Sequence, residues 1–245
     1  MSDVFDWPAF LPEFHREATA AGFSPTLLHE TESGPIHAWE RPGHGPVVYL
    51  SAGIHGDEPA GPMAMLRLLK EGFFATDHHW LICPALNPNG LACHVRENAD
   101  GHDLNRDYLA FKSEEARCHA AWLDRQPTPA LFVSLHEDWE SSGFYLYEIN
   151  LSGSPTETAH RILDAVSPWF HPEPGPEIDG HTCHEPGWIY HSAEPDLPES
   201  WPEAIYLAKK GCPLSFTFES PSSSPLEPRI ASLAAGVRAA CEYLD

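Results

Sequence analysis

Residues 46–61 read PVVYLSAGIHGDEPAG, and the fold turns on how that stretch is parsed. PVVYL is a short continuous apolar run, the pattern of a strand covered on both faces. Gly53 and Gly56 then mark a turn. From Pro59 to Gly72 the sequence PAGPMAMLRLLKEG has helical spacing and ends in glycine. Strand, glycine turn and helix in that order form the unit from which α/β sheets are built. His55 and Glu58 stand in the turn, three residues apart. They are read either as ordinary polar turn residues, with the glutamate capping the helix, or as part of a metal site.

The same alternation continues on both sides. Residues 8–21 have helical spacing, and TLLHE with PIHAWER forms a strand pair broken at Ser33-Gly34. HWLICPAL (79–86) and ALFVSLH (130–136) are further buried strands, and EEARCHAAWLD (114–124) is a helix. A hairpin is expected near GFYLYEI (143–149), a helix at TETAHRILDAVSPWF, a strand at PLSFTFE (213–219) and a closing helix over 226–244. The proline-rich stretches 170–187 and 192–203 read as long ordered loops, which often carry function. The expectation is one α/β domain over residues 1–245, with a mixed, mostly parallel central sheet and helices on both faces.

In such sheets ligands gather outside the carboxyl ends of the strands. His55 follows the first buried strand, Asn87 the second, His136 ends the third and Glu219 the last. Zinc takes imidazole nitrogen and carboxylate oxygen, and a catalytic site uses three protein ligands with one position left open. His55 and Glu58 would supply two ligands from one turn, His136 the third from the end of a strand, and Glu219 would remain free as a general base.

Composition narrows the field. The chain has 245 residues, 42% hydrophobic and 20% charged, with a formal charge of −22 from 36 acids against 14 Lys plus Arg. That field repels nucleic acid and anionic lipid. Between Gln126 and Ala208 the only Lys or Arg is Arg161, which reads as a solubilising surface or as a preference for substrates bearing a free amine. Six scattered cysteines without a CxxC pair point to reduced thiols in a cytoplasmic protein. No basic and apolar leader and no apolar run of membrane-spanning length is present. Arg96 and Arg106 are the only Lys or Arg between Lys70 and Lys112, either a local anion site or a pair of surface ion pairs with Glu97, Asp100 or Asp103. Of the 16 histidines, His78, His79, His94, His102, His181, His184 and His191 read as surface residues. A second metal site is the other reading, with His181 and His184 its best-placed members.

Five motifs in order resemble the zinc metallocarboxypeptidase family, the carboxypeptidase A-like one, over about residues 46–240: GIHGDE, NPNG, VRENADGHDLNRDY, SLHED and FTFES. The resemblance implies that His55, Glu58 and His136 bind one zinc ion per chain, that Glu219 is the general base, and that Arg96 steadies the oxyanion. It also implies that Asn105 and Arg106 hold the free carboxylate of a small peptide substrate. Tyr190, in GWIYHSAE, resembles the family's mobile tyrosine; Tyr206, its rival, sits in a helix-like stretch and packs in the core. Asp57 stands where digestive carboxypeptidases carry an arginine, which resembles the compact bacterial branch of murein-peptide amidases. The implied activity is hydrolysis of a C-terminal amide bond, with a γ-glutamyl–diaminopimelate peptide as substrate. The alternative is an N-acyl-amino-acid deacylase resembling succinylglutamate desuccinylase or aspartoacylase.

Overall fold

A computed structural model describes residues 5–242 and Leu244. In chain order its elements are α1 (Trp7–Ala20), β1 (Ser24–Thr31), β2 (Gly34–Arg41), β3 (Val47–Ala52), α2 (Ala60–Lys70), β4 (His79–Cys83), α3 (Pro88–Cys93), α4 (Glu114–Leu123), β5 (Leu131–Asp138), β6 (Tyr145–Asn150), α5 (Glu157–Val166), β7 (Glu177–Ile178), β8 (His181–Thr182), β9 (Trp188–His191), α6 (Glu203–Lys209), β10 (Leu214–Pro221) and α7 (Leu226–Cys241). A single 3₁₀ turn, Leu104–Arg106, precedes α4. The closing helix expected to reach residue 244 includes Tyr243, which lies outside the described residues.

Eight strands form one mixed sheet in the order β1-β2-β4-β3-β5-β10-β6-β9. The four central strands, β4, β3, β5 and β10, run parallel. The β1/β2 pair, the β2/β4 contact and the β10/β6 contact are antiparallel. The hairpin expected near residues 143–149 does not close onto the preceding strand. β6 pairs with β10, which inserts between β5 and β6, and with β9. The loop 170–187 contains the two-residue strands β7 and β8, paired only with each other.

Alternation along each strand sorts the side chains into two layers. Val48, Leu50 and Ala52 of β3, Leu131, Val133 and Leu135 of β5, and Leu214, Phe216 and Phe218 of β10 join residues of α1, α2, α5 and α7 in one buried cluster. Tyr49 and Phe132 point the other way, into a smaller cluster with Trp122 and Leu123 of α4 and Tyr206 and Leu207 of α6. The second layer stops short at the carboxyl ends of the central strands. Ser134 and His136 of β5 and Thr217 and Glu219 of β10 continue the same face, but open into a cavity of about 450 Å³. No helix among the described residues is long and apolar enough to cross a membrane.

Candidate metal centre

The turn after β3 is built by close backbone packing. A Cβ on Gly56 would overlap the backbone of Gly90, so a glycine is required where the two segments touch. The Gly56 N–H donates to the Arg96 carbonyl at 3.3 Å, and Asn87 Nδ2 donates to the same oxygen at 3.1 Å. Asn87 also caps α3 by accepting from the Gly90 N–H at 2.9 Å. It is fully buried and outside the cavity. Of the four polar strand-end residues, Asn87 therefore does not converge with the others; it ties the loop of Arg96 to the turn of His55.

His55, Glu58 and His136 do converge. One ligand atom from each lies within 4.8 Å of the others. His55 Nδ1 is 2.7 Å from Glu58 Oε1, His136 Nδ1 is 2.9 Å from Glu58 Oε2, and the two Nδ1 atoms are 3.3 Å apart. All three residues are buried. The Glu137 N–H donates to Glu58 Oε2 at 3.2 Å, and Arg96 Nη1 approaches Oε1 at 3.5 Å.

Asp103 organises the remainder. Its Oδ1 accepts from His55 Nε2 at 3.1 Å and from the Asn105 N–H at 2.9 Å, while Oδ2 accepts from Arg96 Nε and Nη2 at 3.1 and 3.0 Å. One carboxylate thus fixes an imidazole ring, a guanidinium and the backbone of the segment holding Asn105 and Arg106. In the sequence Asp103 stands out only as a candidate ion-pair partner of Arg96 and Arg106. Its signal was available in its place two residues before Asn105, in the DLNR segment.

Because Nε2 of His55 donates to Asp103, its Nδ1 presents a lone pair to Glu58 Oε1. Acceptor against acceptor at 2.7 Å requires a positive charge between them. Without a metal, that charge is a proton. Burial acts to lower the basicity of His55, yet Glu58 and Asp103 lift its pKa to about 9. A divalent cation satisfies the same demand, and a His₂Glu set whose rings point Nδ1 inward suits zinc or a similar ion. The carboxylate on the outer nitrogen is the second-layer arrangement that orients metal-ligating histidines.

Glu219 lies on the cavity face beside this cage. Burial, then the charges of Glu58, Asp138 and Asp179, push its carboxyl well above the usual range, against an opposing contribution from Arg96. Arg96, Asn105 and Arg106 line the same cavity. Arg106 is exposed, and its Nη1 donates to the Asn105 carbonyl at 2.9 Å. Asn105 Oδ1 accepts from the Glu203 N–H at 3.0 Å, which anchors it to the start of α6.

Tyr190 is a correction. β9 pairs with β6 in the register Glu148↔Tyr190, so Tyr190 faces the layer opposite the cavity. Its hydroxyl donates to the Asn150 carbonyl at 3.3 Å, and it does not line the cavity. Two other tyrosines do. Tyr145 Oη donates to Asp138 Oδ2 at 3.0 Å, and Tyr147 Oη to Asp179 Oδ2 at 2.6 Å. The alternation in YLYEI carried that information once the cavity face was known. Tyr206 packs in the α4/α6 layer, as expected of it, with its hydroxyl donating to Asp124 Oδ1 at 2.5 Å.

A second polar group unread in the sequence lies below the cavity. Glu203 is 1% exposed and accepts from Tyr49 Oη at 2.8 Å and Ser51 Oγ at 2.7 Å. His119 sits between the hydroxyls of Tyr49 and Tyr108, at 2.7 and 2.6 Å. Burial raises the Glu203 carboxyl to about 7, and burial lowers His119 to about 3.

The succinylglutamate desuccinylase/aspartoacylase catalytic domain model matches residues 44–150. Carboxypeptidase 2 of Trichophyton rubrum is 36% identical over 100 residues, covering 37% of this chain and 18% of that protein. Carboxypeptidase SOL1 of Arabidopsis thaliana is 34% identical over 112 residues, covering 36% and 23%. The chain thus spans about a fifth of the length of the curated relatives it matches. Among solved structures, a candidate metallopeptidase of Shewanella amazonensis superposes with a TM-score of 0.86 at 25% identity, over 98% of this chain and 93% of that one. A metallo-carboxypeptidase from Burkholderia cenocepacia gives 0.71 at 18%, over 98% and 70%, which shows a shared fold.

Proposed function

We propose that this chain, a member of the zinc carboxypeptidase-like family, hydrolyses an amide bond next to a free carboxylate in a small peptide. The observation that carries the proposal is the convergence of His55, Glu58, His136 and Glu219 on one cavity that also presents Arg96, Asn105 and Arg106.

His55, Glu58 and His136 would hold the cation. When bound, it supplies Lewis-acid polarisation of the carbonyl and makes water a better nucleophile near neutral pH. The other steps belong to side chains. Arg106 and Asn105 grip the terminal carboxylate and set the scissile bond in register. Arg96, held rigid by Asp103, meets the negative charge that grows on the carbonyl oxygen. Glu219 removes a proton from the attacking water as the new carbon–oxygen bond forms. It then delivers that proton to the nitrogen as the carbon–nitrogen bond breaks.

The cavity lining carries both signs of charge. Arg96 and Arg106 line it together with Asn105, and so do Asp138 at the end of β5, Asp179 between β7 and β8, and Asp196 between β9 and α6. A substrate with a carboxylate at one end and a free amine at the other matches both, as in a γ-glutamyl–diaminopimelate murein peptide. The second reading, an N-acyl-amino-acid deacylase, draws on the family model over residues 44–150.

The test is a hydrolysis panel run with zinc-loaded protein. It holds C-terminal dipeptides and tripeptides, L-Ala-γ-D-Glu-diaminopimelate, and N-acetyl and N-succinyl amino acids. Cleavage of the murein peptide in preference to the rest supports the first reading. Turnover of acyl amino acids alone replaces it with the deacylase, and turnover of ordinary peptides alone removes the murein substrate.

A further inference from the structure

The same cavity holds a second convergence of metal-ligating side chains, formed by His181, His191 and Asp196. His181 starts β8, His191 ends β9, and Asp196 lies in the segment between β9 and α6. His191 Nε2 is 3.2 Å from Asp196 Oδ1, and His181 Nε2 is 3.6 Å from Oδ2. The two rings are 5.1 Å apart at 75°. Ligands around a tetrahedral zinc with bonds of about 2.0–2.1 Å stand roughly 3.3 Å from one another, and one ligand atom from each of the three residues lies within 4.8 Å of the others, close enough to share a cation.

The hydrogen bonding of His191 supplies an independent reason. Its Nδ1 donates to the Ser192 carbonyl at 2.6 Å, which places the ring proton there and leaves the Nε2 lone pair aimed at Asp196. A backbone carbonyl on the outer nitrogen is how metal-ligating histidines are commonly oriented. Either a cation or a second ring proton then fills the 3.2 Å gap between Nε2 and the carboxylate. His184, the other histidine singled out in the sequence, does not join. Its ring packs edge-on against Trp188 at 4.6 Å.

We propose that His181, His191 and Asp196 form a second divalent-cation site on the wall of the cavity, distinct from the His55–Glu58–His136 centre. Two imidazoles and a carboxylate select a borderline cation such as zinc, cobalt or nickel over magnesium or calcium. The site faces the cavity, so its remaining coordination position is open to water or to an anionic group of a bound molecule. Its three ligands come from three separate segments, so occupancy staples the 192–203 segment to β8 and β9. Occupancy would offset two of the three negative charges that Asp138, Asp179 and Asp196 bring to the cavity and leave a net negative charge among them.

The experiment is a Co²⁺ titration of chelator-stripped protein, read by metal content and by visible absorption. Wild type is expected to bind two equivalents, Asp196→Asn and His191→Asn one each, and His136→Ala one. Co²⁺ should raise the melting temperature of His136→Ala, and this rise should vanish in His136→Ala/His191→Asn. Asp196 is largely exposed, so its variant reports on the site without threatening the fold. One equivalent in wild type, kept by Asp196→Asn and lost in His136→Ala, would overturn the proposal and leave an imidazolium–aspartate ion pair in its place. None of these readings depends on turnover, so a failed substrate assignment leaves this test intact.

Discussion

Glu219 and His136 are direct partners on the neighbouring parallel strands β10 and β5. Paired positions in a parallel sheet point the same way, so the glutamate enters the cavity beside the imidazole. It does so from a rigid strand rather than a loop. In the proposed mechanism a base placed there would take part in proton transfer without being needed to hold the cation.

Replacing Glu219 with glutamine should therefore lower kcat by about 10²–10⁴-fold, the usual contribution of a positioned proton-transfer group, with zinc content unchanged. Steady-state kinetics beside metal analysis checks this. A variant that loses its zinc would show that Glu219 serves the cage instead.

Asp103 holds His55 through one oxygen and Arg96 through the other. Asp103→Asn should weaken zinc affinity by about 10–100-fold, as loss of an outer partner of a metal ligand typically does. Equilibrium dialysis against a competing chelator measures it. Affinity equal to wild type would mean that packing alone orients the His55 ring.

Tyr190 faces the layer away from the cavity, and Tyr147 lines it. Tyr190→Phe should change kcat/KM by no more than about twofold, the range of substitutions remote from a site. Tyr147→Phe removes the donor that orients the Asp179 carboxylate at 2.6 Å and, on the proposed amine recognition, should raise KM for amine-bearing substrates by about five- to tenfold, the worth of one hydrogen bond of about 1–1.4 kcal/mol. A large loss of kcat in Tyr190→Phe would reinstate it as a residue that closes over substrate.

Glu203 keeps its proton to about pH 7 because burial penalises its charge, whereas an unfolded glutamate releases it near pH 4.3. Between those values the unfolded chain binds fewer protons, so this group's contribution to stability falls as pH rises and is constant above about 7. The penalty at neutral pH is on the order of 3 kcal/mol. His119 acts in the opposite sense. Its folded pKa lies near 3, so its contribution rises with pH up to about 6.5. The stability difference between Glu203→Gln and wild type isolates the first effect. It should grow in favour of the variant from pH 4.5 to 7, in urea unfolding at a series of pH values. A difference independent of pH would mean that Glu203 is ionised in the fold.

Local periodicity determined much of this protein from sequence alone, because whether a run is a strand or a helix depends on consecutive residues. The apolar run 46–50 falls, from Val47 on, in β3 (Val47–Ala52), and the glycine-bounded turn and the helix after it form as read. His55, Glu58, His136 and Glu219 stand where the ends of those strands place them. Three matters were settled only by tertiary structure. Strand order is one: β10, last in the chain, lies between β5 and β6, since covering both faces of the sheet outweighs pairing of neighbours in sequence. The facing of Tyr190 is another. It depends on the register of β9 against β6, and a shift of one residue would reverse every side chain on the strand. The last is the partnership of groups far apart in the chain, such as Asp103 with His55 and His181 with Asp196. Those contacts depend on where loops cross the carboxyl edge of the sheet, and no periodicity in the loops themselves encodes that.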